Sequence, residues 1–174
     1  MRRLRFGVAM SLDGFIAGPK GEYDWIVADS TMDYVSMHMQ FDLCIMGRKT
    51  YDVARTRRAS MEGSGQHWVV VSRTLKPEEH RDVTILSENI LQAVADLKAQ
   101  PGKDIWLMGG GVLFRSLLDA GLVDGMDLAV MPVMLGSGTQ VLPEGQRQWF
   151  RLEKSAALAS GILVLSYSVS GSSA

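Results

Sequence analysis

A single cysteine among 174 residues rules out an intrachain disulfide, so the fold has to be held by its core. That residue, Cys44, lies in the apolar run Leu-Cys-Ile-Met at 43–46, the setting of a buried inert thiol rather than a nucleophile. Three histidines and one cysteine show no ligand spacing, and no metal is expected. No apolar run approaches the roughly 18 residues of a membrane-spanning helix. The basic start is followed by apolar residues that Ser11, Asp13 and Gly14 interrupt, which is not the pattern of a signal peptide, and a cytoplasmic protein is expected. Neither sign of charge dominates: 18 basic residues face 19 acidic ones, against the extended basic face of a nucleic-acid binder. No Pro/Ser-rich linker divides the chain, so one domain is expected over 1–170, with a frayed tail over 171–174.

What is present is a set of short apolar runs, at 4–10, 43–46, 67–72, 83–86, 105–108 and 126–133, each bounded by Gly, Asp, Ser or Pro as buried strands are. Helical periodicity lies between them. Over 87–102, Ile90, Leu91, Val94, Ala95 and Leu97 share a face, Ser87 is the expected cap, and Pro101-Gly102 stop the helix. Over 111–124, Leu113, Phe114, Leu117 and Leu118 share a face that ends at Gly121. A third helix is expected over 30–40. The final stretch, 149–169, alternates as two strands around Ala159-Ser160-Gly161, an antiparallel hairpin. The chain is therefore expected to be α/β, a mixed, mostly parallel sheet flanked by helices. Such sheets bind ligands beyond the carboxyl ends of their strands.

Three of those strand ends carry chemistry. Gly109, Gly110 and Gly111 follow one strand and open a helix, which brings bare N–H groups to a phosphate or else serves a close approach of strand and helix. Gly47, Arg48, Lys49 and Thr50 repeat the layout. Ser72 and Arg73 follow a third strand, where a hydroxyl and a guanidinium suit the extra phosphate that distinguishes NADP from NAD. Taken singly, each cation is also explained as a solvated loop residue.

In order and spacing, the segments at 10–18 (MSLDGFIAG), 22–26 (EYDWI), 45–52 (IMGRKTYD), 69–74 (VVVSRT) and 106–138 resemble the dihydrofolate-reductase-like family. The resemblance is strongest to the branch related to the reductase domain of the bifunctional riboflavin-biosynthesis deaminase-reductase. It implies a three-layer fold and an NADPH-dependent reductase acting on a small heterocyclic substrate, a ribosylaminopyrimidine or a pterin. It further implies that residues 9–17 lie along the nicotinamide, with main-chain groups near Ala9 and Ile16 at its carboxamide. Gly47, Arg48, Lys49 and Thr50 would surround the pyrophosphate and adenosine phosphate, and Ser72 and Arg73 the 2′-phosphate. Gly109, Gly110, Gly111, Val112 and Leu113 would bring backbone donors to the pyrophosphate, with a cis bond at Gly109–Gly110. The stretch 134–139 resembles a loop that closes beside the active site. A homodimer is implied as well, the apolar hairpin strand at 162–169 being the residue-level motive.

The proton donor is where the chain departs from that pattern. Folate reductases place an acid at a register that falls near Thr31 here, and Asp33 is two residues away. Riboflavin-type reductases place one directly before the glycine turn, where this chain has Met108. Asp13, Asp24 and Asp33 remain as candidate proton relays or substrate acceptors; a turn former, a loop acid and a solvated helix carboxylate are their structural alternatives. Trp25 either roofs the nicotinamide pocket or is a core aromatic. His38 and His67 have no placed partner, and Met37 and Met39 either line a substrate cleft or fill core. The missing acids leave a non-catalytic nucleotide-binding or sensing protein as the alternative.

Overall fold

The computed structural model describes residues 1–57 and 65–171. Among the described residues ten strands form, β1 (Leu4–Ser11), β2 (Phe15–Ala17), β3 (Phe41–Gly47), β4 (His67–Val71), β5 (Thr84–Leu86), β6 (Asp104–Met108), β7 (Gly125–Met131), β8 (Thr139–Gln140), β9 (Trp149–Ala157) and β10 (Leu163–Ser170). Among the described residues the α-helices are α1 (Tyr34–His38), α2 (Arg48–Ala54), α3 (Ile90–Ala99) and α4 (Gly111–Asp119). Eight strands make one sheet in the order β5-β4-β3-β6-β1-β7-β10-β9, while β2 and β8 pair separately. From β5 to β7 all neighbours are parallel, and β10 is antiparallel to both β7 and β9. This is the mixed, mostly parallel α/β sheet with a C-terminal antiparallel hairpin that the sequence predicts.

Alternation along the central strands sends side chains to two layers of helix. On one face Leu4, Phe6, Ile45, Val69, Ile105 and Leu107 are sealed by Val94 of α3 and by Phe114, Leu117 and Leu118 of α4. On the other, Cys44, Met46, Trp68 and Val70 pack against Tyr51 and Ala54 of α2, with Trp106 and Met108 beside them. Cys44 is fully buried and free, and desolvation pushes its thiol pKa well up, as befits an inert thiol.

Two expectations need correction. The helix expected over 30–40 is only five residues long, because the Asp29 carboxylate holds Thr31 in a turn and the Asp33 side chain caps the chain just before Tyr34. The cap of α3 is not Ser87 but Asn89, in the left-handed region at φ 48° with no side-chain cap bond. The short strands β2 and β8 were not foreseen. The C-terminal hairpin turns as expected, with Gly161 at φ 86° and its N–H donating to the Leu158 carbonyl at 3.0 Å. Of the expected frayed tail, residues 172–174 lie outside the described residues. Among the described residues no helix is long and apolar enough to cross a membrane.

Candidate active site

The carboxyl ends of β4, β3, β6 and β1 lie side by side along one edge. Met46 is level with Met108, Gly47 with Val71, and Gly7 with Met108. β6 therefore stops opposite Gly7, while β1 runs on to Ser11 with only β7 beside it. Gly109 N donates back to the Gly7 carbonyl at 3.4 Å. Backbone alternation turns the N–H and C=O of Ala9 to the same side as those of Gly7, into the space beyond the end of β6.

Gly109 and Gly110 have φ values of 53° and 75°, a conformation that side chains disfavour. No cis peptide bond occurs among the described residues, so the cis Gly109–Gly110 bond implied by the resemblance is not found. The turn is made by positive φ at two trans-linked glycines instead. The first bond of α4 runs from Phe114 N to the Gly110 carbonyl at 3.0 Å, which leaves the N–H groups of Gly111, Val112 and Leu113 without helical partners at the positive end of the helix dipole. Val112 is exposed and Leu113 packs on the core. Gly111 is buried, and any side chain there would meet the Val141 and Gln140 carbonyls. Close approach is thus one reason for the third glycine, and it is independent of any ligand.

Two contacts draw the turns together. The Thr50 side chain lies over the glycine pair: a methyl group on Gly109 would come within 3.3 Å of its Oγ1, and one on Gly110 within 3.6 Å. Arg48 Nη1 donates to the Thr74 hydroxyl at 2.6 Å, which ties the start of α2 to the turn after β4. That turn is shaped by Ser72, a buried residue whose Oγ accepts from the N–H groups of Thr74 and Leu75, each at 3.2 Å. Arg48, Lys49 and Arg73 are exposed beside one another's turns.

Ile16 sits in β2, half-buried. The loop before it is fastened by Asp13, whose carboxylate accepts from Ser11 Oγ at 2.6 Å, Gly136 N at 2.7 Å and Leu135 N at 3.1 Å. Those donors, the Ser11 hydroxyl foremost, lower its pKa to about 2. The bonds join the β1–β2 loop to the stretch at 134–139. Trp25 is half-buried between β2 and α1, its Nε1 donating to the Glu22 carbonyl at 3.2 Å, and Asp24 is exposed. Asp33 accepts from Ser36 N at 2.9 Å as the cap of α1, and its bonds to Ser36 hold its pKa below the usual range.

The histidines part company. His67 is exposed at the start of β4, at the opposite edge of the sheet, with Nε2 2.8 Å from the Thr84 hydroxyl. His38 ends α1 with its ring 5.0 Å from that of Trp106; its Nδ1 is buried without a partner, and burial lowers its pKa. Met37 is half-buried and Met39 exposed. Among the described residues no cluster of His, Cys, Asp or Glu could hold a metal ion. Sequence reasoning missed Thr74, although it adjoins Ser72-Arg73, and Asp29, which no local pattern marks.

Residues 52–164 match the family model of the RibD C-terminal domain. The chain belongs to that family. Among RibD C-terminal domain relatives, the uncharacterised protein YyaP of Bacillus subtilis strain 168 is 32% identical over 98% of this chain and 96% of its own length. The riboflavin biosynthesis protein RibD of Corynebacterium ammoniagenes is 27% identical over 77% of this chain, which spans only 44% of it. A solved protein of Shewanella sp. PV-4, described as a candidate riboflavin biosynthesis protein, is 26% identical with a TM-score of 0.80, over 98% of this chain and 99% of that one. A deaminase/5-amino-6-(5-phosphoribosylamino)uracil reductase of Thermotoga maritima shares the fold, with a TM-score of 0.74 at 15% identity over 97% of this chain and 57% of that one. The dihydrofolate-reductase-like fold expected from the sequence is thus the fold of this RibD C-terminal domain chain.

Proposed function

We propose that the protein is an NADPH-dependent reductase that delivers a hydride to a small heterocycle of the ribosylaminopyrimidine or pterin type. The observation that carries this reading is the meeting of three turns, 47–50, 72–74 and 109–113, at one sheet edge through the Thr50 and Arg48 contacts. The donor set suits a dinucleotide: bare N–H groups at the start of α4 and the cations Arg48 and Lys49 for its phosphates, and Arg73 with the Ser72–Thr74 turn for a ribose phosphate. The backbone of Ala9, turned to the side where β6 has ended, suits a carboxamide. When bound, NADPH supplies the hydride; the chain contributes binding, orientation and exclusion of water. The 5-amino-6-(5-phosphoribosylamino)uracil reductase among the structural relatives motivates that compound as the first substrate to try.

Titration of NADPH and NADH against wild type and Arg73→Ala tests the assignment. NADPH should bind more tightly than NADH, and the variant should lose about 10-fold or more in NADPH affinity while NADH is spared. Equal affinities of wild type for the two cofactors would overturn it.

A second reading, a nucleotide-binding protein without turnover, draws on the commitment of the acids: Asp13 and Asp33 are held as anions by backbone donors, and Met108 precedes the glycine turn. Stopped-flow oxidation of bound NADPH against pterins and aminopyrimidines separates the two. Assembly with a second copy is proposed as well, supported by the edge strand β9, exposed along most of its length with Trp149 and Leu152 in the open. Light scattering at micromolar concentration reads it out.

A further inference from the structure

Between β2 and α1 the chain runs from Gly18 to Asp33 without regular structure. Irregular segments of that length are uncommon within a compact domain and often serve as covers over binding sites. Midway along it, Asp29 is only 5% exposed. One carboxylate oxygen accepts from Thr31 N at 2.8 Å and from the Thr31 hydroxyl; the other accepts from Ser160 N at 3.1 Å. The Asp29 N–H donates to the Tyr34 hydroxyl at 3.3 Å. The Ser160 hydroxyl and Thr31 together hold the carboxyl well below the usual carboxylate range, so it is an anion at neutral pH.

Those partners belong to different parts of the fold. Tyr34 opens α1. Ser160 is in the turn joining β9 to β10, where the neighbouring Gly161 lies against Pro132 just past the carboxyl end of β7. The segment therefore starts at β2, touches the hairpin tip at the carboxyl edge, and ends in α1, whose His38 packs on Trp106. On that face the Trp106 indole lies over Gly7, so the two ends of the path, at Trp106 and at the hairpin tip, fall on either side of Ala9 on β1 and its neighbour Ala129 on β7. Ala9 and Ala129 are half-buried and belong to neither hydrophobic cluster.

We propose that Asp29 is a positioning residue for the substrate: by pinning the 18–33 segment to the hairpin tip, it fixes a cover over Ala9 and Ala129 that holds a flat heterocycle against β1. This rests on the reductase reading above. It predicts a split between ligands: only the nicotinamide end of the cofactor nears the cover, while its phosphates sit on the turns at 47–50, 72–74 and 109–113 outside it, so the substrate should respond more strongly than NADPH.

The test compares wild type with Asp29→Asn and Thr31→Val in three measurements: hydrogen exchange without ligand, NADPH titration, and steady-state reduction of 5-amino-6-(5-phosphoribosylamino)uracil. In Asp29→Asn one acceptor oxygen becomes a donor facing donors, so exchange at 24–32 should quicken about tenfold or more and KM for the heterocycle should rise about tenfold. The Kd for NADPH should stay within about twofold of wild type. Thr31→Val, which leaves the carboxylate on Ser160, should fall between, and it carries the test with the same readouts if Asp29→Asn does not fold. Unchanged exchange, or a Kd for NADPH that rises in step with KM, overturns the proposal. A wild type that binds no NADPH overturns the reductase reading instead, and the exchange measurement then decides alone whether Asp29 anchors the segment.

Discussion

Arg48 Nη1 and the Thr74 hydroxyl lie 2.6 Å apart across 26 residues of sequence, so the charge nearest the glycine turn of β3 is aimed by a residue from the next strand's loop. Thr74→Val removes this hydrogen bond but leaves the guanidinium on its 3.6 Å pair with Asp52, and should weaken NADPH binding about two- to fivefold. Arg48→Ala removes the charge as well and should cost about 10- to 100-fold at low salt, less as salt rises. Calorimetric titration at two salt concentrations distinguishes aim from charge.

The positive φ values of Gly109 and Gly110 give a stability test that needs no ligand. Alanine at Gly110 should cost about 1–3 kcal/mol in urea unfolding, because its φ of 75° is strained for a side chain. Gly47 is the control. It has φ −79° and open space where a methyl group would sit, so Gly47→Ala should change stability by about 0.5 kcal/mol or less.

Lys98 is buried at 2% exposure, and its Nζ lies 2.6 Å from an Asp124 oxygen that also accepts from Leu4 N. Asp124→Ala strands a buried ammonium and should cost about 3–5 kcal/mol. Lys98→Met should cost less, because the Asp124 side chain it leaves behind is 33% exposed and can turn to water. Chemical denaturation of the two variants and their double mutant measures the asymmetry.

Acid should loosen the loop that Asp13 fastens. Its folded pKa of about 2 lies below the ordinary 3.8, so the carboxylate's contribution is fully present above about pH 4 and is lost as pH falls through 2. Amide exchange at Leu135 and Gly136 should accordingly be slower in wild type than in Asp13→Asn at pH 5, after correction for intrinsic rates, and the two should converge near pH 2.

The parallel half of the sheet was legible because its strands are continuous apolar runs buried on both faces, and the strand–glycine–helix turns were legible because glycine and cations stand out after such runs. The Gly121 stop of α4 was legible for the same reason; its φ is 68°. What was hidden depends on distant partners. Asp29 is one acid among several until Ser160, 131 residues away, supplies its donor. Ser87 looked like a cap because its residue type suits one, yet the chain enters α3 through Asn89. The helix at 30–40 is shorter than its spacing suggests because Asp29 and Asp33 hold the backbone of their neighbours in turns, a competition that apolar spacing does not register.

The central place of β1 bears on how the chain reaches its native state. Both of its neighbours, β6 and β7, come from residues 104–131, so the strand earliest in the sequence has no sheet partner until the second half of the chain is made. At ribosomal speeds of about 5–20 residues per second, β1 waits on the order of 5–20 s for a partner. Throughout that interval its apolar residues Leu4, Phe6 and Val8 are available to other chains. Long-range parallel pairing also makes refolding slow. Recovery of native protein from denaturant should therefore fall as concentration rises, and the loss should begin at the amino-terminal strand.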